Sequence, residues 1–481
     1  MSLKKLTKKL SDTHVCVVGA GLTGSLLAVF LARRGMRVTM LERRPDMRVA
    51  TISAGRSINL NITRRGLRAL EKAGLKEAIL KDSVPMMGRL MHSRTGETTY
   101  QPYGRDDSEF GNSVSRGELN KTLMTAAEKA GNVTIRFNQR VTNIDLETNT
   151  LTIQNEEDKT QHEESFDLII GTDGSASQIR ESMVNDEGYS CEQDYLNYGY
   201  KELTVLPLEG GKFAMEKNVL HIWPRGLYMI IALPNFDGSF TCTLFLPYKS
   251  INGSPCFDEL KTEQAVSEFF KTDFADVYGM FDKPIETFFQ NPTGGMVTVR
   301  MKPWHYKDRV LLVGDAAHAI VPFFGQGANC AFEDLTVFED LLTKYLQPDD
   351  ALDWEALFLE FNDLRKPNSD AIAQMAIENF IEMRDKVGQP DFLLQKAAEK
   401  VLEKKFADKF ASRYALVTFT QTPYSVCRDA GVIIDDMVGE LCANIQNAEE
   451  IDLKKAERMI DEKLAPVLKG QVRDAACSPV S

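Results

Sequence analysis

The sequence predicts an α/β protein in three parts: a Rossmann-like nucleotide-binding domain, a second domain on a mixed or antiparallel sheet, and a C-terminal helical region. Three patterns lead there. A βαβ unit with a glycine-rich turn opens the chain, strands joined by turn residues run from about Tyr198 to Pro247, and nearly everything from Trp354 to Ile460 has helical spacing. The length of 481 residues leaves room for about two to four units of ~100–200 residues each. Apolar residues make up 43% and charged residues 26%, an ordinary globular balance that excludes disordered, collagen-like and coiled-coil chains. With 57 Lys and Arg against 69 Asp and Glu, a net charge of −12 gives no footprint for nucleic acid or anionic lipid.

The first unit reads as strand His14–Val18, helix Leu22–Arg34 and strand Arg37–Leu41, whose strands are parallel because the crossover is helical. A helix follows over Glu118–Ala130, then strand Val133–Phe137, a meander through Leu151–Gln154 and a buried strand at Asp167–Ile170. In the second sheet, GYKELTVL, VLHIW, LYMIIAL and FTCTLFL are strands; period two puts Met229, Ile231 and Leu233 on one face, and Thr243 with Phe245 on another shared face. ALFLEFNDLRK, DAIAQMAIENFIEMRDKV and DFLLQKAAEKVLEKKFADKFA read as helices. The leader MSLKKLTKKLSD lacks an apolar core and reads as solvated. No run approaches the ~18–20 apolar residues that cross a bilayer. Eight dispersed cysteines without a CxxC pair, with only six histidines, form no zinc-type cluster. They read as reduced thiols.

Gly19-Ala20-Gly21-Leu22-Thr23-Gly24 sits between the first strand and its helix. There the first glycine makes the turn, the second lets backbone approach a pyrophosphate, and the third lets the helix pack close, while the helix N-terminus offers N–H groups. Glu42 ends the second strand, where a carboxylate can accept from both ribose hydroxyls of an adenosine. Two further segments are not needed by a nicotinamide dehydrogenase. Ile169–Arg180 carries Asp173-Gly174 after a buried strand, and Arg309–His318 carries Gly314-Asp315 before Pro322-Phe323-Phe324-Gly325-Gln326-Gly327-Ala328-Asn329. A strand-end acid can bond a polyol, and a glycine-rich helix start can press backbone against a flat ring.

These three motifs resemble the single-component FAD-dependent aromatic hydroxylases, and the likeness spans most of the chain. Within that family it is strongest to the branch that acts on kynurenine, through Gly55–Leu60, Gln101–Asp107, Gly199–Leu203, His221–Pro224 and Glu378–Arg384. The resemblance implies bound FAD, NADPH and O2 as cosubstrates, and hydroxylation of L-kynurenine to 3-hydroxykynurenine through a C4a-hydroperoxyflavin, a step of tryptophan catabolism. The ring is activated by its ortho amine, so the protein's part is positioning and water exclusion, with no catalytic side chain and no metal.

The same resemblance assigns the substrate carboxylate to Arg89, Tyr103 and Asn379, a pocket wall to Glu382, Met383 and Tyr414, and an apolar lining to Leu220, Met229, Ile231, Leu233, Phe245, Phe323 and Phe324. Around FAD it places Gly19, Gly21, Gly24, Glu42 and Arg44 by the adenosine and pyrophosphate, Arg116 by the pyrophosphate or ribityl chain, and Val141 by adenine. Asp315 falls on the ribityl side, Asp173 serves FAD and NADPH, and Asn61, Gly325, Gly327, Ala328 and Asn329 lie by the ring. Asn61, Ala328 and Phe324 depart from common family residues (Ala, Met and, in some bacterial members, His). His221 and His318 read as structural. The expected organisation is an FAD-binding domain of 1–75, 106–190 and 295–345, a substrate sheet domain of 76–105 and 191–294, a helical region of 346–470 and a disordered tail of 471–481. A charged Lys454–Lys469 segment, where animal members carry membrane anchors, predicts a cytoplasmic monomer or homodimer without a membrane anchor. Two alternatives stay open: a hydroxylase of another aromatic acid, and a non-catalytic FAD-fold binding module.

Overall fold

In the computed structural model, which describes residues 6, 8–49, 59–385 and 389–469, the apolar run HVCVV forms the strand His14–Val18, with Val15 to Val18 all buried. A strand covered on both faces requires such a run. It sits inside a six-stranded sheet ordered His305–Tyr306, Val310–Leu312, Leu168–Gly171, His14–Val18, Arg37–Leu41, Val133–Arg136. Only the His305–Tyr306 edge pairs antiparallel. Helix Leu22–Arg33 crosses over from His14–Val18 to Arg37–Leu41 and packs against helices Arg116–Lys129 and Gly327–Lys344. A three-stranded antiparallel layer, Gln139–Asp145, Thr150–Asn155 and Gln161–Ser165, adds to this unit.

The second sheet has seven strands, ordered Gly294–Lys302, Ser190–Val205, Phe240–Pro247, Met229–Pro234, Val219–Pro224, Gly88–His92, Thr98–Pro102. It is mixed, because Val219–Pro224 and Gly88–His92 run parallel. GYKELTVL is only the end of a 16-residue strand. The first half, SCEQDYLN, is polar and mostly exposed, so its sequence reads as loop; pairing with Gly294–Lys302 makes it a strand.

Two further expectations are corrected. The leader is docked, not solvated, from Leu6 onward among its described residues: Leu6 and Leu10 are buried, Leu10 N–H donates to Asp350 O at 2.9 Å, and Lys8 Nζ donates to Asp167 Oδ1 at 2.7 Å. The first two segments of the helical region form one 32-residue helix, Trp354–Asp385, with Pro367 inside it. Proline removes one N–H and normally breaks a helix. Here Asn368 Nδ2 donates to Leu364 O at 2.8 Å and Ser369 Oγ to Lys366 O at 2.9 Å, so neighbouring carbonyls keep partners. Helices Pro390–Lys405, Arg413–Phe419 and Tyr424–Cys442 follow.

The C-terminal helices do not close a core of their own. Met229, Phe245, Phe323 and Phe324 belong to the same buried cluster as Met375, Phe380, Leu416 and Ile434, so this region forms a wall of the space above the second sheet. Among the described residues no helix is long and apolar enough to cross a membrane. Gly55–Ile58 and 471–481, for which a motif and a disordered tail were expected, lie outside the described residues.

Candidate active site

The first turn closes because Gly19 takes φ +99° and passes against Thr172, leaving 2.7 Å between a would-be Cβ and the Thr172 carbonyl. At Gly24 a Cβ would stand 2.0 Å from Gly19 O, so only glycine lets this helix meet its strand. Gly21 behaves differently. Nothing lies within 4 Å of its would-be Cβ, and its backbone faces a cleft of about 610 Å³. That is the cradle a pyrophosphate requires, and the volume suits an organic ligand.

Glu42 anchors one end of this cleft. Its carboxylate accepts from Ala20 N at 3.1 Å and from Arg44 N, Nε and Nη2 at 2.9, 2.8 and 3.1 Å. Burial alone would raise its pKa, but the Arg44 guanidinium and these N–H groups bring it below the ordinary value. Arg44, Arg116 and Val141 line the same end. Farther along lie Asp173 and Asp315. Asp173 Oδ2 accepts from Gln178 N at 2.8 Å, while Oδ1 is enclosed without a hydrogen-bond partner among the described residues, and burial raises its pKa. Gly314 takes φ +65° where Thr23 leaves no room for a side chain, 2.9 Å from a would-be Cβ.

Asn61, Gly325, Gly327 and Ala328 line the cleft, and Asn329 braces them from behind. Asn329 Nδ2 donates to Asn61 O at 2.8 Å and Gly325 O at 3.0 Å, and its Oδ1 accepts from Thr63 N at 2.9 Å. Gly24 and Asn329 thus shape the cleft without lining it. An open glycine backbone at a helix start and a strand-end carboxylate on one cleft fit FAD along this path.

Across the cleft, the second sheet presents an apolar floor. Leu220 pairs beside Arg89, Ile222 opposite Ile231, Met229 opposite Phe245, and Phe245 opposite Tyr200. Partners opposite each other share a face. Leu220, Met229, Ile231, Leu233 and Phe245 line the cleft, and Phe323, Phe324, Met383 and Tyr414 close it from the helical side. Thr243 shares the face of Phe245 but does not reach the cleft.

At the end of this slot the Arg89 guanidinium stands 5.4 Å from the Tyr103 ring centre and 5.0 Å from that of Tyr414. Those two rings stack at 5.4 Å, and Phe324 stacks on Tyr414 at 5.8 Å. Burial depresses the Arg89 pKa, the phenols raise it more, and it stays cationic. Among the described residues no carboxylate lies within ion-pair distance of it, and its Nε is enclosed without a partner. A buried cation without a counter-ion is costly, so the arrangement suits an incoming anion.

Of the residues expected at the substrate, Asn379 and Glu382 lie outside the lining. Asn379 Nδ2 donates to Phe323 O at 2.8 Å and holds that wall. Glu382 sits 3.9 Å from Lys396 and acts on Arg89 only through its field. Sequence reading did not assign Tyr200, Ile222, Met296 and Ile320, which line the cleft. Strand register was the missing signal: Tyr200 opposite Phe245 follows only once the pairing is known. His221 is buried away from the cleft, sharing a 2.9 Å contact with His92 and donating to Glu216 O at 2.7 Å. His318, Cys330 and Asp334 converge behind the Gly314 bend, where Arg365, Gly314 and His318 already engage both Asp334 oxygens.

Residues 12–353 match the family model described as FAD binding domain. Kynurenine 3-monooxygenase of Myxococcus xanthus is 50% identical over 95% of this chain and 96% of its own. The enzymes of that name from Stenotrophomonas maltophilia and Dictyostelium discoideum are each 42% identical, over 96% and 95% of this chain and 99% of their own. The chain belongs to the kynurenine 3-monooxygenase family. As a member of that family it is an FAD-dependent flavoprotein monooxygenase. The fold is shared more widely. A tetrameric form of 2-methyl-3-hydroxypyridine-5-carboxylic acid oxygenase superposes with a TM-score of 0.61 at 21% identity, covering 81% of this chain and 97% of that one. p-Nitrophenol 4-monooxygenase from Pseudomonas putida gives 0.61 at 18% identity, covering 81% and 92%.

Proposed function

We propose that the protein hydroxylates L-kynurenine at ring position 3, converting kynurenine, O2, NADPH and a proton to 3-hydroxykynurenine, NADP+ and water. The observation that carries this reading is Arg89: a cation without a carboxylate partner among the described residues, flanked by two stacked phenols, at the end of an apolar slot beside the FAD path. Domains bounded at 1–75, 106–190 and 295–345 for FAD, and 76–105 and 191–294 for substrate, with 346–470 as the covering helices, are part of the same proposal.

FAD, reduced by NADPH, supplies the oxygen-activating chemistry. The chain's own residues do the rest. Arg89 takes the substrate carboxylate through its guanidinium fork, and Tyr103 and Tyr414 offer hydroxyls to the same group. Leu220, Ile231, Leu233 and Phe245 beneath, with Phe323 and Phe324 above, orient the aniline ring and keep water from it. The ortho amine already makes the ring electron-rich, so positioning is what this reaction asks of the protein. Glu42, Gly21, Asp173 and Asp315 hold the cofactor on the opposite wall.

Purified holoprotein is expected to be yellow, and L-kynurenine should accelerate NADPH oxidation with 3-hydroxykynurenine formed in matching amount. Formation of peroxide alone, or a stronger response to a hydroxybenzoate or anthranilate in the same assay, would overturn the substrate assignment. Failure to retain FAD or oxidise NADPH would favour a binding module.

A further inference from the structure

Four charged side chains of alternating sign are buried together, two of them on the Gly327–Lys344 helix: Arg65, Glu333, Arg365 and Asp334. Arg65 Nη1 donates to Glu333 Oε1, Arg365 Nη1 to Glu333 Oε2 at 2.7 Å, and Arg365 Nε to Asp334 Oδ1 at 2.7 Å. Two guanidiniums thus face two carboxylates. Such a chain is a weak source of stability, since apolar residues of similar volume often serve a core as well. What it joins is more telling.

At one end Arg65 Nε donates to Val417 O at 3.2 Å and Nη2 to Thr422 O, and the guanidinium lies 3.9 Å above the Tyr424 ring. Val417 shares the short Arg413–Phe419 helix with Tyr414. The Tyr424 hydroxyl donates to Gln326 Oε1 at 2.9 Å, inside the loop that faces the flavin path. At the other end Asp334 Oδ2 accepts from Gly314 N at 3.2 Å and meets His318 Nε2 at 2.5 Å, bracketing Asp315. Arg365 itself stands on the helix that carries Asn379 and Met383. A continuous set of bonds therefore runs from the helix bearing Tyr414 to the bend bearing Asp315.

We propose that Arg65, Glu333, Arg365 and Asp334 form a positioning chain that fixes the carboxylate end of the substrate slot relative to the flavin-facing bend, and so sets where the bound ring stands against the flavin. This inference rests on the proposed hydroxylation of kynurenine. Arg65 and Arg365 are positioning residues, because neither lines the cleft. An error of a fraction of an ångström at Tyr414 leaves binding in place but misdirects the ring, and placement errors near 1 Å cost reactions about a hundredfold.

The test is the coupling ratio, 3-hydroxykynurenine formed per NADPH consumed, in holoenzyme variants Arg65→Lys and Tyr424→Phe. Lysine keeps the charge but cannot serve Val417 O, Thr422 O and Glu333 together; phenylalanine removes only the bond to Gln326. Arg65→Lys should lower coupling by about threefold or more and Tyr424→Phe by about twofold, with peroxide making up the difference. FAD content and the rate of flavin reduction by NADPH should stay near those of the natural enzyme. A chain that serves only folding would lower the melting temperature and leave coupling in the folded holoenzyme unchanged, which overturns the proposal. If Arg65→Lys fails to fold, Tyr424→Phe decides alone. Product from the natural protein with unchanged coupling in the variants sinks this inference only; no product from the natural protein sinks the hydroxylase reading and this inference with it.

Discussion

Replacing Arg89 by methionine separates binding from stability. The guanidinium lies between the Tyr103 and Tyr414 rings with no carboxylate partner among the described residues, so its charge is held against the cost of desolvation. Methionine fills similar length but gives up the phenol contacts that outweigh the desolvation of the charge, so the folded state should lose no more than about 1 kcal/mol. Substrate binding should lose more. Removing one partner of a buried charged pair costs about 3–5 kcal/mol; with both tyrosine hydroxyls still available the lower figure applies, and ~3 kcal/mol is roughly a hundredfold in KM. FAD content should not change, because the Gly21 turn and Glu42 lie at the other end of the cleft. The assay is steady-state NADPH oxidation over a kynurenine series, paired with thermal unfolding of the same preparation. A KM within about threefold of the natural enzyme would remove Arg89 from the substrate site. A drop in melting temperature with unchanged KM would make it an ordinary structural arginine.

The second and third glycines of the turn should fail in different ways. Gly21→Val points into open space and should fold normally yet purify without FAD, whereas Gly24→Ala places a Cβ 2.0 Å from Gly19 O and should lose folded yield; FAD retained by Gly21→Val would contradict the cradle. Asn379→Leu frees the Phe323 carbonyl, costing ~1 kcal/mol and raising KM by about fivefold. A rise as large as that of Arg89→Met would mean direct contact with the carboxylate. His92 is lowered to about 4, by burial first and then by His221. Its folded value lies below the unfolded ~6.5, so the unfolded chain binds more protons between those values; stability is whole above pH ~6.5 and falls as pH drops toward 4, by roughly 1–2 kcal/mol after solvent screening. Urea midpoints at pH 7.5 and 5 should show the loss, and His92→Phe should flatten it; a slope unchanged by that substitution rules the assignment out.

The FAD half of the fold was legible because its signals are local. Gly19, Gly21, Gly24 and Glu42 stand in one short βαβ unit; Gly24 answers to Gly19 within it, Gly19 to Thr172 at the end of the neighbouring strand, and Gly21 to the open cleft. The second sheet was half legible. Period two put Met229, Ile231 and Leu233 on one face, but alternation within a strand cannot say which strand lies beside it, so Tyr200 stayed unassigned and the strand Ser190–Val205 was expected only from about Tyr198. The break expected between ALFLEFNDLRK and DAIAQMAIENFIEMRDKV is a comparable case: Pro367 disfavours a helix by a local effect, and that the helix continues through it becomes visible only in the fold. Family likeness named Asn379 as a carboxylate ligand; in the structure its amide donates to the Phe323 carbonyl, a bond that no local pattern announces.

Three arginines make the remaining point. Arg65 and Arg365 are almost wholly enclosed, and Arg89 is enclosed at Nε; nothing in their immediate sequences, TRRGL, DLRKP and MGRLM, separates them. Partners separate them. Arg65 and Arg365 share Glu333, and Arg365 adds Asp334, so their charges are balanced inside the protein and their directions are fixed. Arg89 has phenol faces and a carboxylate field at a distance, which keeps it charged without quenching it. A guanidinium neutralised in place can hold two elements in register but cannot receive a ligand; one left without a counter-ion can receive an anion and is a poor brace. The unequal treatment of one residue type therefore divides the roles: Arg89 selects the substrate's carboxylate, and the paired arginines keep the wall that carries Tyr414 where that selection is useful.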